Sequence, residues 1–83
     1  MNEKELKAQC RDLFYRRCVV CGKRTRIVHE IIPRSNGKIS LQLSNMVTLC
    51  SDHHNWAHNV GSKVSAPILK EARERVLNAY SSR

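Results

Sequence analysis

Apolar side chains recur at three- and four-residue intervals near both ends of the chain, the spacing that places them on one face of an α-helix. Near the N-terminus this pattern predicts a helix over about residues 3–17, with an apolar face made of Leu6, Cys10, Leu13 and Phe14. Near the C-terminus it predicts a helix over about 67–80, opening at Pro67, a residue that suits the first helical position. The apolar face of this second helix comprises Ile68, Leu69, Ala72, Val76, Leu77 and Tyr80.

The segment between these helices, residues 18–60, has the pattern of strand, loop, strand and short helix. Residues 25–32 are β-branched and apolar enough for a strand, which Pro33 ends. Residues 46–49 predict a second strand, and a short polar side chain just after position 50 can cap a helix that ends near Gly61. Together with the flanking helices, this order predicts a small α+β fold in a single domain, residues 1–83.

The length and the absence of long apolar runs limit what the chain can be. Eighty-three residues leave room for one domain, whose hydrophobic core alone would be marginal, so a structural metal or disulfides are expected to support it. No apolar run approaches the roughly 18 residues needed to span a bilayer, and no apolar leader follows the N-terminal residues. We therefore expect a cytoplasmic protein without a membrane partner, and in a reducing compartment clustered cysteines favour metal binding over disulfides.

Two ligand pairs with matching spacing predict a structural zinc site. Cys18 and Cys21 are separated by two residues and followed by Gly22, which supplies the backbone freedom that a metal-binding turn requires. Cys50 and His53 repeat that spacing at the start of the short helix. The four side chains make a closed Cys3His set, the type that holds structural Zn²⁺. A redox pair, or reduced buried thiols, are the competing interpretations, and Cys10 on the apolar helix face is interpreted as a buried small side chain.

Three further histidines predict a second metal site on the other side of the same short helix. His54 and His58 are four residues apart and share one helical face, whereas His53 is turned away from both. Upstream, His29 and Glu30 are the available partners for this second ion. Strict strand alternation would send their side chains to opposite faces, so both reach one site only if the strand bends there.

The chain is strongly basic, with fifteen Lys and Arg against seven Asp and Glu and a formal net charge of +8. Such an excess on a small domain favours a polyanionic partner, and nucleic acid is preferred to membrane because no strongly apolar amphipathic face accompanies the charge. Candidate phosphate contacts are Arg34 and Lys38 in the loop between the strands and the pair Arg16 and Arg17. The alternative for each is a solvated surface cation, and for Arg16 and Arg17 the two interpretations are equally consistent with the sequence.

Taken in order, the motif blocks of residues 18–58 resemble the HNH endonuclease family, in particular its small, often phage-encoded members with a zinc knuckle pair. The blocks are Cys18-Val-Val-Cys21-Gly, His29-Glu-Ile-Ile-Pro33-Arg34-Ser35, Asn45-Met-Val-Thr-Leu-Cys50, and His53-His54 with His58. The resemblance implies a ββα-metal core that holds a divalent ion and hydrolyses phosphodiester bonds in DNA.

Position by position, the resemblance assigns roles to individual residues. His29 matches the first metal-ligand position and His54 matches the ligand on the helix, while Asn45 matches the central asparagine that orients the catalytic residue. His58 is interpreted either as a third ligand or phosphate contact, or as a simple surface histidine. Glu30 stands where the family has its general base, normally histidine. His53 replaces the more common fourth cysteine of the zinc site, a change that zinc accepts.

The replacement at position 30 leaves two assignments open for the catalytic residues His29, Glu30 and Asn45. Either Glu30 is the general base with His29 and His54 on the ion, or Glu30 ligates the ion and a histidine, His29 or His58, accepts the proton. The histidine-rich donor set suits Mn²⁺, Ni²⁺ or Zn²⁺ at least as well as Mg²⁺.

Two functions from other classes compete with the nuclease. One is a zinc-stabilised nucleic-acid-binding module without cleavage activity, for which Glu30 is the best argument. The other is a zinc-knuckle adaptor between proteins, which has no need of His54 and His58. The resemblance to phage-encoded members leaves open a phage packaging or replication protein as an additional partner.

Overall fold

Three helices and a two-stranded antiparallel sheet make up the computed structural model, which describes residues 2–33 and 41–81. In chain order the elements are α1 (Glu3–Leu13), β1 (Val28–Glu30), a 3-10 turn (Leu43–Asn45), β2 (Met46–Thr48), α2 (Ser51–Val60) and α3 (Ser62–Ser81). This confirms the small α+β fold expected from the sequence. None of the helices in the described ranges is long and apolar enough to cross a membrane.

Helix α1 begins at a side-chain cap and ends earlier than the sequence pattern predicts. The Asn2 Oδ1 accepts a hydrogen bond from the backbone N–H of Glu5 at 2.8 Å, which satisfies one of the open donors of the first turn. The prediction that the helix continues to residue 17 was wrong. Tyr15 and Arg16 have φ values of 55° and 56°, and the Arg16 N–H bonds back to the Arg11 carbonyl at 2.8 Å, a helix-terminating pattern.

Strands β1 and β2 pair in an antiparallel register that includes His29 and Glu30. Val28 lies opposite Thr48, His29 opposite Val47, and Glu30 opposite Met46. The first strand is shorter than the predicted residues 25–32, because the chain leaves the regular ladder after residue 30 to bond to the side of the 3-10 turn.

Asn45 holds this departing segment. Its Oδ1 accepts from the Ile32 N–H at 2.9 Å, its Nδ2 donates to the Ile32 carbonyl at 3.0 Å, and its backbone carbonyl accepts from the Ile31 N–H at 2.8 Å. The side chain is buried, so these bonds satisfy groups that water does not reach. The Asn45 side chain and its backbone carbonyl therefore fix the end of β1.

Strand β2 is the centre of the core. Its three residues are fully buried, and the largest buried side chains around it are Phe14, Ile31, Leu49 and Leu69. Fully burying a side chain of this kind contributes roughly 1.5–3 kcal/mol. Because β2 runs directly into Cys50, the core fixes the starting point of α2 and of both histidine-bearing faces of that helix.

Helices α2 and α3 are separated by a single residue, Gly61, whose φ of 82° reverses the chain. The prediction that the last helix opens at Pro67 was wrong, since α3 begins at Ser62 and contains Pro67 in its interior. The Ser65 N–H already bonds to the Gly61 carbonyl at 2.9 Å, so helical hydrogen bonding starts before the proline. Residues 62–66, which extend α3 beyond the predicted start, pack beside α2, and Ser65 is buried there.

Candidate metal centres

The first centre, the Cys3His cluster, joins Cys18, Cys21, Cys50 and His53. The first two cysteines lie in a turn closed by hydrogen bonds from the Gly22 N–H to the Cys18 carbonyl at 2.9 Å and from the Cys18 N–H to the Lys23 carbonyl at 2.8 Å. Gly22 has a φ of 81°, a left-handed conformation that side chains disfavour. Cys50 is the N-cap of α2, and its Sγ accepts from the His53 N–H at 3.5 Å.

The separations within this cluster match those around a tetrahedral zinc ion. Two sulfurs on one zinc lie about 3.8 Å apart, and a sulfur and a nitrogen about 3.6 Å apart, given the usual zinc–ligand lengths. Cys21 Sγ and Cys50 Sγ are 3.7 Å apart, and Cys18 Sγ and His53 Nδ1 are 3.6 Å apart. Cys50 Sγ and His53 Nδ1 are closer, at 3.2 Å, a hydrogen-bonding distance. The Cys3His cluster could therefore hold a metal such as zinc.

Burial and hydrogen bonds shift the pKa values of the three thiols in this cluster in different directions. Burial acts to raise the pKa of Cys18 and of Cys50, but hydrogen bonds to their sulfurs outweigh it and lower both values. For Cys21 the Lys23 backbone hydrogen bond acts to lower the pKa, yet burial and the neighbouring cysteines raise it overall. The lowered pKa values make Cys18 and Cys50 easier to deprotonate to the thiolate, which is the form that binds metal.

The second centre, the three-histidine cluster, brings together His29 of β1 with His54 and His58 of α2. One ligand nitrogen of each ring lies within 4.8 Å of the others. The Nε2 atoms of His54 and His58 are 3.1 Å apart, and imidazole nitrogens that bind one ion at about 2.0–2.1 Å lie about 3.0–3.4 Å apart. The His29 ring centroid is 5.3 Å from that of His54 and 5.6 Å from that of His58.

Burial and the neighbouring rings oppose protonation of two of the three histidines, His29 and His54. Burial, followed by the nearby His54 and His58 rings, lowers the pKa of His29 to about 4. Burial and the His58 ring also lower the pKa of His54 below its usual value. A histidine must be neutral to bind a metal ion, so these shifts favour the ligand form near neutral pH.

An open cleft of about 430 Å³ lies over the three-histidine cluster. Glu30 lines this cleft together with His29, so the strand does present both neighbours to one space. The Glu30 carboxylate is nevertheless outside the group of converging ligand atoms, which contains only the three imidazoles. The remaining lining residues are Lys7, Val28, Ile31, Pro33, Ala57, Gly61, Ser62 and Ser65.

The other predicted site residues occupy different positions. Arg16 pairs with Asp12 at 3.9 Å on the surface, and the Arg17 Nη1 donates to the Gly22 carbonyl at 3.1 Å, beside the knuckle. Arg34 and Lys38 lie outside the described residues.

Two cleft residues gave no signal in the sequence: Lys7, which reaches the cleft from α1, and Ser62, which reaches it because α3 starts early. Lys7 sits on the polar side of a regular helix, where only the packing of that helix reveals its neighbours.

Comparison with protein-family models, curated proteins and solved structures finds no match to this chain. A function must therefore be argued from the two clusters and the residues around them.

Proposed function

We propose that this chain is a divalent-metal-dependent endonuclease that hydrolyses phosphodiester bonds in DNA at an HNH-type site. The observation that carries the proposal is the convergence of His29, His54 and His58 beneath an open cleft lined by Glu30. An ion held by these three imidazoles would keep a coordination position for water or substrate, as catalytic metal sites do and closed structural ones do not.

The order of the elements supports the same proposal. β1, β2 and α2 follow one another as strand, strand and helix, with His29 on the first strand and two histidines on the helix. Of the motif blocks that resemble the HNH family, the His29 block begins on β1, the Asn45 block contains β2, and the histidine block lies on α2, whereas the Cys18 block precedes β1. The Cys3His cluster on the other face of α2 would act as the structural support that a core of this size needs.

Hydrolysis forms a phosphorus–oxygen bond from water and breaks the bond between phosphorus and the leaving 3′-oxygen, which takes up a proton. A divalent ion held by the three imidazoles would neutralise charge on the phosphoryl oxygens and the leaving oxygen. The protein must also supply a base for the proton that water loses and cations for the remaining phosphate charge. Glu30 and Lys7 both line the cleft and are the side chains that we propose for these two roles, although the Lys7 Nζ also pairs with the Glu3 Oε2 at 3.1 Å.

The placement of Glu30 favours one of the two assignments of the general base. All three histidines belong to the ligand group, which leaves Glu30 as the cleft-lining residue that can accept a proton without giving up a ligand. We therefore propose Glu30 as the base, with Asn45 holding the end of β1 as a positioning residue. The variant Glu30→Gln should abolish cutting while metal binding persists, and undiminished cutting by it would reject this role.

Nicking of supercoiled plasmid by the zinc-loaded chain tests the function, with Mn²⁺, Mg²⁺, Ni²⁺ and Zn²⁺ supplied in turn. We expect cutting that requires an added ion and is lost in His54→Ala. The matched control is Asn55→Ala, an exposed neighbour on the same helix, which should cut like the unaltered chain. Thermal unfolding of each variant establishes that the fold is retained. Equal loss in both variants, or no cutting with any ion, would contradict the proposal.

A zinc-stabilised nucleic-acid-binding module without cleavage activity is the second candidate. The observation that favours it is Glu30, because a carboxylate is a weaker proton acceptor near neutral pH than the imidazole that the family uses. Salt-sensitive DNA binding with no nicking in any divalent ion would select this function.

A further inference from the structure

We infer that five arginines beside the three-histidine cleft form a binding site for the phosphodiester backbone of duplex DNA. Two adjoining surface grooves, each of about 380 Å³, define the site, which we call the arginine grooves. One is lined by three arginines alone: Arg11, Arg16 and Arg26. The other is lined by Tyr15, Arg16, Arg17, Arg24, Thr25 and Arg26. The inference rests on the proposed nucleic-acid substrate and adds where that substrate is gripped outside the cleft.

The end of α1 and the turn that follows it bring these arginines together from separate parts of the sequence. Arg17 and Arg24 form an isolated antiparallel bridge, and the Thr25 N–H donates to the Arg16 carbonyl at 2.8 Å. The left-handed conformation of Tyr15 and Arg16 turns the chain out of the helix at this point. As a result, cations from α1 and from both sides of the knuckle turn face the same pair of grooves.

The charge of the arginine grooves is poorly compensated by the protein. Arg16 pairs with Asp12 at 3.9 Å, but both side chains are more than half exposed, so this pair contributes little. Within residues 2–33 and 41–81, Arg11, Arg24 and Arg26 have no carboxylate within ion-pairing distance. Like charges held around a concave surface repel one another, and a bound phosphate relieves that repulsion through bidentate hydrogen bonds to guanidinium groups.

A row of cations connects the grooves to the cleft, and this continuity points to a polymer and not to a single small anion. Lys7 lines the cleft, and Arg11 follows it by one helical turn, about 6 Å along α1. Arg26 lies three positions before His29 along the chain, so the segment entering β1 also links the two surfaces. If one backbone phosphate lies over the three histidines, the next phosphates of the same strand on one side would lie along this row of cations.

Equilibrium binding to DNA, measured apart from cutting, tests the arginine grooves. The zinc-loaded full chain carrying His54→Ala is titrated into a fluorescein-labelled duplex of about 20 base pairs. Fluorescence anisotropy at several salt concentrations then gives the dependence of log K on log[salt]. Adding Arg24→Gln and Arg26→Gln should weaken binding and reduce the magnitude of that slope by about 1.8, or about 0.9 for each phosphate that is no longer neutralised. Both side chains are exposed, so the fold should be retained, which thermal unfolding checks.

The matched control carries Lys70→Gln and Arg75→Gln, which remove the same charge from exposed positions of α3 that line neither groove. We expect this control to keep nearly the full slope. An equal reduction in both double variants, or an unchanged slope in the arginine variant, would overturn the inference. The outcome also separates the two proposals. A slope reduction confined to the arginine variant supports the arginine grooves even if the unaltered chain never nicks DNA. Nicking without that reduction supports the nuclease and rejects the arginine grooves.

Discussion

His53 and His54 are neighbours on α2, yet their rings belong to different clusters. The His53 Nδ1 lies 3.2 Å from the Cys50 Sγ, and the His54 Nε2 lies 3.1 Å from the His58 Nε2. Successive side chains on a helix are about 100° apart, so a single short helix can contribute to two separate ions. Each cluster can therefore be altered by a substitution that leaves the ligands of the other in place.

Cys21 offers the cleanest test of the Cys3His cluster because its side chain is exposed and contributes little to the core. Cys21→Ser should lower the free energy of unfolding by about 4 kcal/mol when zinc is present at roughly 1,000 times its dissociation constant, and hardly at all without zinc. Chemical denaturation at fixed zinc concentrations measures the difference. Val20→Ala, an exposed change in the same turn, should show no such zinc dependence.

Cobalt substitution should distinguish the two clusters by their spectra. Thiolate ligands of the Cys3His cluster produce charge-transfer absorption, whereas an all-imidazole site does not. We expect His54→Ala to weaken binding of the second ion by about 10–100-fold or more while the thiolate bands remain. Disappearance of those bands in His54→Ala would show that the clusters are not independent, and Asn55→Ala should bind both ions normally.

Removing the Asn45 side chain should unfold the end of β1. Asn45→Ala deletes two hydrogen bonds to Ile32 and leaves partly buried backbone groups without these partners, which costs about 1–3 kcal/mol. Urea denaturation measures this change in the free energy of unfolding. The neighbouring exposed residue provides a control, since Ser44→Ala should change stability by less than about 0.5 kcal/mol.

Arg73 should matter for stability although it is charged. Its Nε and Nη2 donate to the carbonyls of Met46 and Leu43 at 3.2 Å each, and its guanidinium lies 5.7 Å from the centre of the Phe14 ring. Arg73→Ala should therefore cost about 2–3 kcal/mol in chemical denaturation. Arg75→Ala on the exposed side of the same helix should cost less than about 0.5 kcal/mol, and equal costs would contradict the role assigned to Arg73.

Stability should fall in alkaline solution because of Cys10. Burial raises the pKa of this thiol from 9.0 to about 11, so between these values the folded chain holds a proton that the unfolded chain releases. The contribution of Cys10 is therefore complete below about pH 9 and is lost as pH rises toward about 11. Denaturation of the zinc-loaded chain across this range, compared with Cys10→Ala, isolates the effect: the variant should be less stable at neutral pH and show a shallower alkaline decline. Parallel curves would contradict the assignment.

The candidate ligands could be identified from the sequence because their spacing is local. A separation of two residues between Cys18 and Cys21, and of four positions between His54 and His58, specifies neighbours on a turn or a helix whatever surrounds them. The fold class followed in the same way from apolar periodicity.

The sequence pattern was less informative where a residue's position depends on distant partners. It placed the start of the last helix at Pro67, whereas packing against α2 extends α3 back to Ser62. It left open whether His29 and Glu30 reach one site; both line the cleft, but only His29 joins the converging ligand atoms.

The sequence by itself determined the types of side chain available, the local pairs of candidate ligands and the two faces of α2, because helical and turn geometry act over a few residues. Only the tertiary structure decided where α1 stops, that Lys7 joins the cleft, and that arginines from both sides of the knuckle share the same grooves. Those features depend on contacts between segments far apart in the chain, whose energies no local pattern contains.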